Sequence, residues 1–179
     1  MKNSIAEDIE TWLRYLKSKL DKQFIDFSAL YRLITLIIQH PECKELFISH
    51  LVNLLSTDVE QEAVSALHIV NIIVVNYRLT VPDNSDAFFL GKFFDMGGEI
   101  LENHSTRRWL NWNTQLGRTL VEWRLNYKLE NRLSPTMSSL ISAHEKEQLN
   151  FKSEHSTLFE HLDKLSPFCL LYTSDAADE

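Results

Sequence analysis

The chain has 179 residues and a formal net charge of −7, and 44% of its residues are apolar. This length fits one domain with a substantial core. The acidic balance argues against wholesale nucleic-acid binding, which needs a basic face. No apolar run reaches the roughly 18 residues of a membrane span, and the charged N-terminus lacks the apolar region of a signal peptide. We therefore expect a cytoplasmic protein.

The scarcity of helix breakers predicts an all-α fold. Glycine and proline number four each, fewer than strand-and-turn folds need. Apolar residues instead recur at helical spacing between short polar connections. The predicted helices span about 4–20, 26–39, 42–55, 58–77, 86–101, 107–130 and 136–150. Consecutive helices with short loops are typical of a helical stack or superhelix.

The first two helices have clear boundary signals. Ser4 is a candidate N-cap for the first helix, and Glu7 three residues later would complete a capping box. Asp26 is a good N-cap for the second helix, and Pro41 ends it because the residue before proline avoids the α region. The predicted buried stripe of the second helix consists of Leu30, Leu33, Ile34, Ile37 and Ile38.

The fourth helix is apolar on nearly every side, which predicts burial. Its β-branched run at 69–75 could also be a strand. Helix is the better interpretation, because the pattern is longer than a typical strand and contains no turn signal. We expect Val70, Ile73 and Val74 to be almost fully buried.

The remaining chain is divided by its breakers. A loop is expected at 78–86 around Pro82, and the Gly97-Gly98 pair is expected to weaken the fifth helix. The long helix at 107–130 ends before Pro135, which opens the last helix.

No combination of residues carries catalytic chemistry. His40 and Cys43 could be two metal ligands, but no third ligand lies near them. His68 is interpreted as a hydrogen-bonded core histidine. Nucleophile motifs and glycine-rich phosphate loops are missing from the sequence. We therefore expect no enzyme activity, no metal site and no cofactor.

The basic-aromatic segment that begins with Arg107 and Arg108 has two interpretations. The two arginines could contact a phosphate or an acidic peptide. The alternative is a helix whose tryptophans point inward while its arginines stay in water.

Phe27 and Tyr31 form a candidate contact patch on the second helix. They are four residues apart and therefore share a face, which differs from that of Leu33 and Ile37. Clustered aromatics outside a core stripe are typical of a partner-binding surface. The alternative is that both rings pack against the first helix.

Four segments between residue 4 and about residue 151 resemble the VHS domain, the helical domain of endosomal sorting adaptors such as Hrs, STAM and GGA. They are Asp26-Phe27 with its apolar run to Ile37, Ala66-Leu67 with the closing Asn76, Phe89-Leu90, and Glu122-Trp123 with Tyr127, Leu133 and Phe151. The chain departs from the family where Phe27 replaces a tryptophan, Asn71 replaces an acidic residue and Tyr77-Arg78 replaces Cys-Gly.

The resemblance implies a right-handed ENTH/VHS-like superhelix of about seven to eight helices over residues 1–151. It implies an adaptor in vesicle or endosomal protein sorting. Such an adaptor binds ubiquitin or ubiquitinated cargo weakly through Phe27 and Tyr31, and binds sorting-signal peptides. Peripheral association with endosomal or trans-Golgi membranes, including phosphoinositide contacts, is implied as well. The alternatives are a superhelix that binds the RNA polymerase II tail, and a plain helical scaffold.

The C-terminal segments are expected to lie outside this domain. Residues 152–168 are polar and poorly periodic, as in a linker. Residues 169–179 resemble a translated sequencing adapter, which implies that the natural sequence is interrupted near Phe168; the alternative is a genuine acidic tail.

We expect residues 169–179 to pack on nothing, because their sequence lacks helical periodicity. Sequencing of the genomic locus tests the origin of this segment, and should show a different continuation after about Phe168. Recovery of the same tail from genomic DNA would contradict this expectation.

Overall fold

The structure, a computed structural model, describes residues 2–77, 85–127, 129, 131–156 and 160. These residues form seven α-helices, a short 3-10 helix and a π-helical segment, with no strand among them. The predicted all-α class is therefore confirmed. The α-helices are α1 (Lys2–Leu20), α2 (Phe27–Gln39), α3 (Lys44–Leu55), α4 (Glu60–Ile72), α5 (Ser85–Ser105), α6 (Leu110–Asn126) and α7 (Pro135–Glu154).

The chain divides into two compact units, Met1–Ile141 and Ser142–Glu179. The first unit contains α1 to α6 and the beginning of α7, and the core described below belongs to it. In the second unit, the described part is the remainder of α7 and a few residues after it. None of the described helices combines the length and the apolar character needed to cross a membrane.

Helix α4 lies at the centre of the first unit and packs against α1, α3 and α6. Val70 and Ile73 are fully buried and Val74 is 3% exposed, as predicted. The β-branched run is helical throughout, since a π-helical segment (Ile73–Tyr77) continues directly from α4. The strand alternative is therefore wrong.

A small polar network joins α4 to α6 inside this apolar packing. The indole Nε1 of the fully buried Trp123 donates to Asn71 Oδ1 at 2.8 Å, and Asn71 Nδ2 donates to Glu122 Oε2 at 3.2 Å. The Tyr127 hydroxyl donates to the carbonyl of Val74 at 3.1 Å. Hydrogen bonds in a low-dielectric interior fix the relative position of the two helices.

The prediction that Gly97 and Gly98 weaken the fifth helix is wrong. Helix α5 continues through both residues to Ser105. At Gly97 a Cβ atom would lie 3.0 Å from the Cγ2 atom of Val52. The missing side chain lets α5 approach α3 closely, and this packing outweighs the low helix propensity of glycine.

The predicted start of the long helix at residue 107 is also wrong, because α6 begins at Leu110. Arg108 has a φ of 58°, in the left-handed region, and Trp109 is extended at the N-cap. Arg107 and Arg108 therefore lie in the turn between α5 and α6.

Several predictions fall on residues outside the described ranges. They concern most of the loop at 78–86 and the whole of 169–179. The predicted linker at 152–168 is described only in part, and its first three residues belong to α7.

Replacing Ile73 with alanine should lower the free energy of unfolding by about 2–5 kcal/mol, because the substitution removes buried methyl groups and leaves a cavity. Ile38→Ala is the matched control. Ile38 is 59% exposed on α2, so its loss should stay within about 0.5 kcal/mol. Urea melts of both variants measure this, and a cost below about 1 kcal/mol for Ile73→Ala would contradict the central position of α4.

The adjacent glycines of α5 should respond differently to alanine. No atom lies within 4 Å of a Cβ added at Gly98, so Gly98→Ala should stabilise by about 0.5–1 kcal/mol through helix propensity. Gly97→Ala should gain less, because its Cβ presses on Val52. Thermal melts compare the two, and equal gains would show that Gly97 is not a packing requirement.

Candidate functional site

The outward face of α2 carries the strongest candidate site. Phe27 is 54% exposed and Tyr31 is 63% exposed, whereas Leu33 and Ile37 are fully buried. The rings of Phe27 and Tyr31 are therefore available on one side of α2, and the alternative that α1 covers them is wrong.

Ile38 extends this face, which corrects the prediction that it is buried. At 100° per residue its direction falls between those of Phe27 and Tyr31, and it is 59% exposed. Phe27, Tyr31 and Ile38, hereafter the α2 stripe, run about 16 Å along the helix axis at the usual rise per residue. The helical angle was the signal that could have identified Ile38 from the sequence.

Polar residues border the α2 stripe on one side. Ser28, Arg32 and Gln39 are exposed, and the Thr35 hydroxyl donates to the carbonyl of Tyr31 at 2.9 Å. The other side of the stripe turns into the core at Ile34, which is 3% exposed. The result is a narrow apolar surface with a wet rim, the usual composition of a small protein interface.

Asp26 fixes where α2 begins and also joins α2 to α1. Its backbone is extended, and its Oδ1 accepts the N–H of Ala29 at 3.0 Å, as the N-cap prediction requires. Its Oδ2 accepts the Tyr15 hydroxyl at 2.8 Å. Because Tyr15 belongs to α1, this carboxylate positions the first turn of α2 and therefore Phe27.

These hydrogen bonds shift the pKa values of both Asp26 and Tyr15. The pKa of Asp26 is held below its ordinary value, first by the Ala29 N–H and then by the Tyr15 hydroxyl, since both stabilise the charged form. The pKa of Tyr15 is raised, mainly because its hydroxyl donates to Asp26.

Arg107, one member of the arginine pair, already has a carboxylate partner. Arg107 Nη1 lies 2.7 Å from Asp58 Oδ1, and its guanidinium stacks 5.1 Å from the centroid of the Trp109 ring. Arg108 is exposed in the neighbouring left-handed position. One of the two predicted phosphate or acidic-peptide contacts is thus already engaged by a carboxylate.

Among the described residues the buried histidine is His104, which the sequence interpretation missed. His104 is 3% exposed, and its Nε2 lies 2.6 Å from the carbonyl oxygen of Leu55, so this nitrogen carries the proton. Its ring packs against Trp109 and Trp112. His68, predicted for this role, is only half-buried, and desolvation followed by repulsion from Arg118 lowers its pKa.

His40 and Cys43, the candidate metal ligands, do not belong to a larger cluster of ligand side chains among the described residues. His40 Nδ1 lies 3.4 Å from a carboxylate oxygen of Glu42, and Cys43 is buried. Within the described ranges no group of three or more histidine, cysteine, aspartate or glutamate side chains could hold a metal ion.

Comparisons with known proteins add no assignment: no family model, curated protein or solved structure matches this chain.

Replacing Tyr15 with phenylalanine should move the pKa of Asp26 upward, towards its ordinary value, because one of the two hydrogen bonds to the carboxylate is lost. A carboxyl group whose pKa is lower in the folded than in the unfolded protein stabilises the fold at pH values above its unfolded-state pKa. This stabilisation is lost as the pH falls through the folded-state pKa. The variant should therefore begin to lose this contribution at a higher pH than the wild type.

NMR titration of the Asp26 carboxyl carbon between about pH 2 and about pH 6 measures the shift directly. Tyr127→Phe, which removes a hydroxyl that bonds to a backbone carbonyl, is the control and should leave the Asp26 titration unchanged. Identical titrations in the wild type and Tyr15→Phe would show that the Tyr15 hydroxyl does not stabilise the carboxylate.

Proposed function

We propose that this protein is an adaptor module that binds ubiquitin weakly through the α2 stripe, as part of intracellular protein sorting. The observation that carries the proposal is the exposure of the three α2-stripe side chains on one face of a helix that buries Leu33 and Ile37 completely on another. Burying these side chains against a partner would remove apolar surface from water at no cost to the fold.

The size and composition of the stripe favour a weak complex. Two aromatic rings and one aliphatic side chain make a small apolar centre, and aromatic residues are enriched where binding energy concentrates. A single helix face buries less than the standard protein interface. Small, wet-rimmed contacts of this kind suit transient recognition of a tag that many cargo proteins share.

The fold that we propose is the right-handed superhelix of the ENTH/VHS type. Support comes from the order of consecutive helices and from the resemblance of the α2, α4 and α6 segments. We further propose that the protein is cytoplasmic and peripheral on endosomal or trans-Golgi membranes, and that it acts by binding rather than by catalysis.

The α4–α6 network makes the polymerase-tail alternative weaker. In the superhelices that bind the polymerase tail, polar residues of the peptide site occupy the position of Asn71. Here the Asn71 amide oxygen accepts from Trp123, and its nitrogen donates to Glu122. Release of this amide for a ligand would leave a buried indole N–H without its acceptor.

Ubiquitin binding should depend on the aromatic rings of the α2 stripe. A dissociation constant of roughly 0.1–1 mM corresponds to only about 4–5.5 kcal/mol, and removal of each aromatic contact costs about 1–2 kcal/mol. Phe27→Ala combined with Tyr31→Ala should therefore make binding undetectable. The measurement is NMR titration of isotope-labelled ubiquitin with each protein.

The matched control is Leu110→Ala combined with Leu125→Ala. Both leucines are 79% exposed on α6, so this variant loses as many exposed apolar side chains from another helix and should bind ubiquitin as the wild type does. Equal shifts for the α2 variant and the wild type would exclude the α2 stripe. No shifts with the wild type would exclude ubiquitin as the partner.

A further inference from the structure

A second recognition surface lies between α1 and α2, beside the α2 stripe but built from other side chains. It is a cleft of about 490 Å³ lined by Thr11, Trp12, Tyr15, Asp26, Ser28, Ala29 and Arg32. This volume is within the range of ligand-binding clefts. Neither Phe27 nor Tyr31 lines it.

The cleft has an aromatic wall and a small residue at its base. Trp12 and Tyr15 lie edge to face, with ring centroids 6.0 Å apart and planes at 90°. Trp12 is half-buried and Tyr15 is 37% exposed, so both rings present surface to the solvent. Ala29 is 4% exposed and leaves the space open because its side chain ends at Cβ. Such a corner accepts a bulky apolar side chain.

The charges of the cleft leave one cation without a counter-charge. The Asp26 carboxylate accepts hydrogen bonds from Tyr15 and from the backbone of α2, and it is attracted to Lys19, whose ammonium lies 5.5 Å from the Tyr15 ring centroid. Arg32 is exposed and forms no hydrogen bond or ion pair with any described residue. Of the two charged residues that line the cleft, Arg32 is therefore the one without a partner among the described residues.

We propose that the α1–α2 cleft binds a peptide segment in which a carboxylate lies next to a bulky apolar side chain. The apolar side chain packs against Trp12 and Tyr15, and the carboxylate pairs with the guanidinium of Arg32, whose planar fork matches carboxylate geometry. The carboxylate belongs either to an acidic side chain or to a chain terminus, since both present the same two oxygens. This inference does not depend on ubiquitin binding at the α2 stripe.

The test uses three short peptides and NMR spectra of the full chain. The first is acetyl-Gly-Glu-Phe-Gly-amide, with an internal carboxylate, and the second is acetyl-Gly-Gly-Phe with a free C-terminus. The third, acetyl-Gly-Gln-Phe-Gly-amide, carries no carboxylate. We expect the indole N–H of Trp12 and the Nε–H of Arg32 to shift with at least one acidic peptide, and the neutral peptide to bind at least about fivefold more weakly. The acidic peptide that binds more tightly identifies the source of the carboxylate.

Arg32→Gln should weaken binding of the acidic peptides about fivefold or more and leave binding of the neutral peptide unchanged. Arg118→Gln, which removes an exposed arginine from α6, is the matched control and should have no effect. The indole signals of the fully buried Trp112 and Trp123 report whether each variant keeps its fold. Phe27→Ala combined with Tyr31→Ala should retain peptide binding, which separates this site from the α2 stripe.

Three results would overturn the proposal. They are equal affinity for the neutral and acidic peptides, an unshifted Trp12 indole at saturating peptide, and an equal loss of binding in Arg118→Gln. Vesicles that contain an anionic lipid serve as a further probe. Arg32-dependent binding to these vesicles, without binding of any peptide, would assign the cleft to a membrane surface instead.

Discussion

Packing of α4 against α1, α3 and α6 is the constraint on which the rest of the first unit depends. Its β-branched residues lower helix propensity, but each buried side chain contributes about 1.5–3 kcal/mol through removal from water. The buried side chains of α4 need apolar partners, and α1, α3 and α6 provide them. The buried Trp123 continues this packing with edge-to-face contacts to Phe93 and Phe94.

This arrangement determines which surfaces can bind a partner. The helix faces that pack against α4 are buried in the core, whereas α2 contacts α1 along one side and exposes its outward face to solvent. Asp26 places both candidate surfaces, because the same carboxylate caps α2 and accepts the hydroxyl of Tyr15. The α2 stripe and the α1–α2 cleft are therefore two surfaces positioned by the same carboxylate, one apolar and the other aromatic with the unpaired Arg32.

Most of the helices could be predicted from the sequence because their signals are local. Asp26 and Pro41 mark the limits of α2, and the apolar run of α4 is longer than a typical strand and contains no turn signal. The errors occur where tertiary contacts decide. Helix α5 continues through Gly97 because it packs closely against Val52 of α3 there. Such a contact between two helices cannot be read from a local sequence pattern.

The candidate site was predictable to the same extent. Helical periodicity identified the exposed pair Phe27 and Tyr31, and a stricter use of the same angle would have added Ile38. The α1–α2 cleft could not be found in this way, because it depends on the distance between two helices. His104 was missed for a similar reason, since its partner is a backbone carbonyl 49 residues away in the chain.

Ubiquitin binding is the proposed role of the α2 stripe. Isotope-filtered NMR on a complex of labelled ubiquitin with this chain tests it most directly, because intermolecular nuclear Overhauser effects report only protons in close contact. We expect contacts from the ring protons of Phe27 and Tyr31, and from the methyl groups of Ile38, to the methyl groups of ubiquitin. Contacts that arise from α6 or α7, with none from α2, would contradict it.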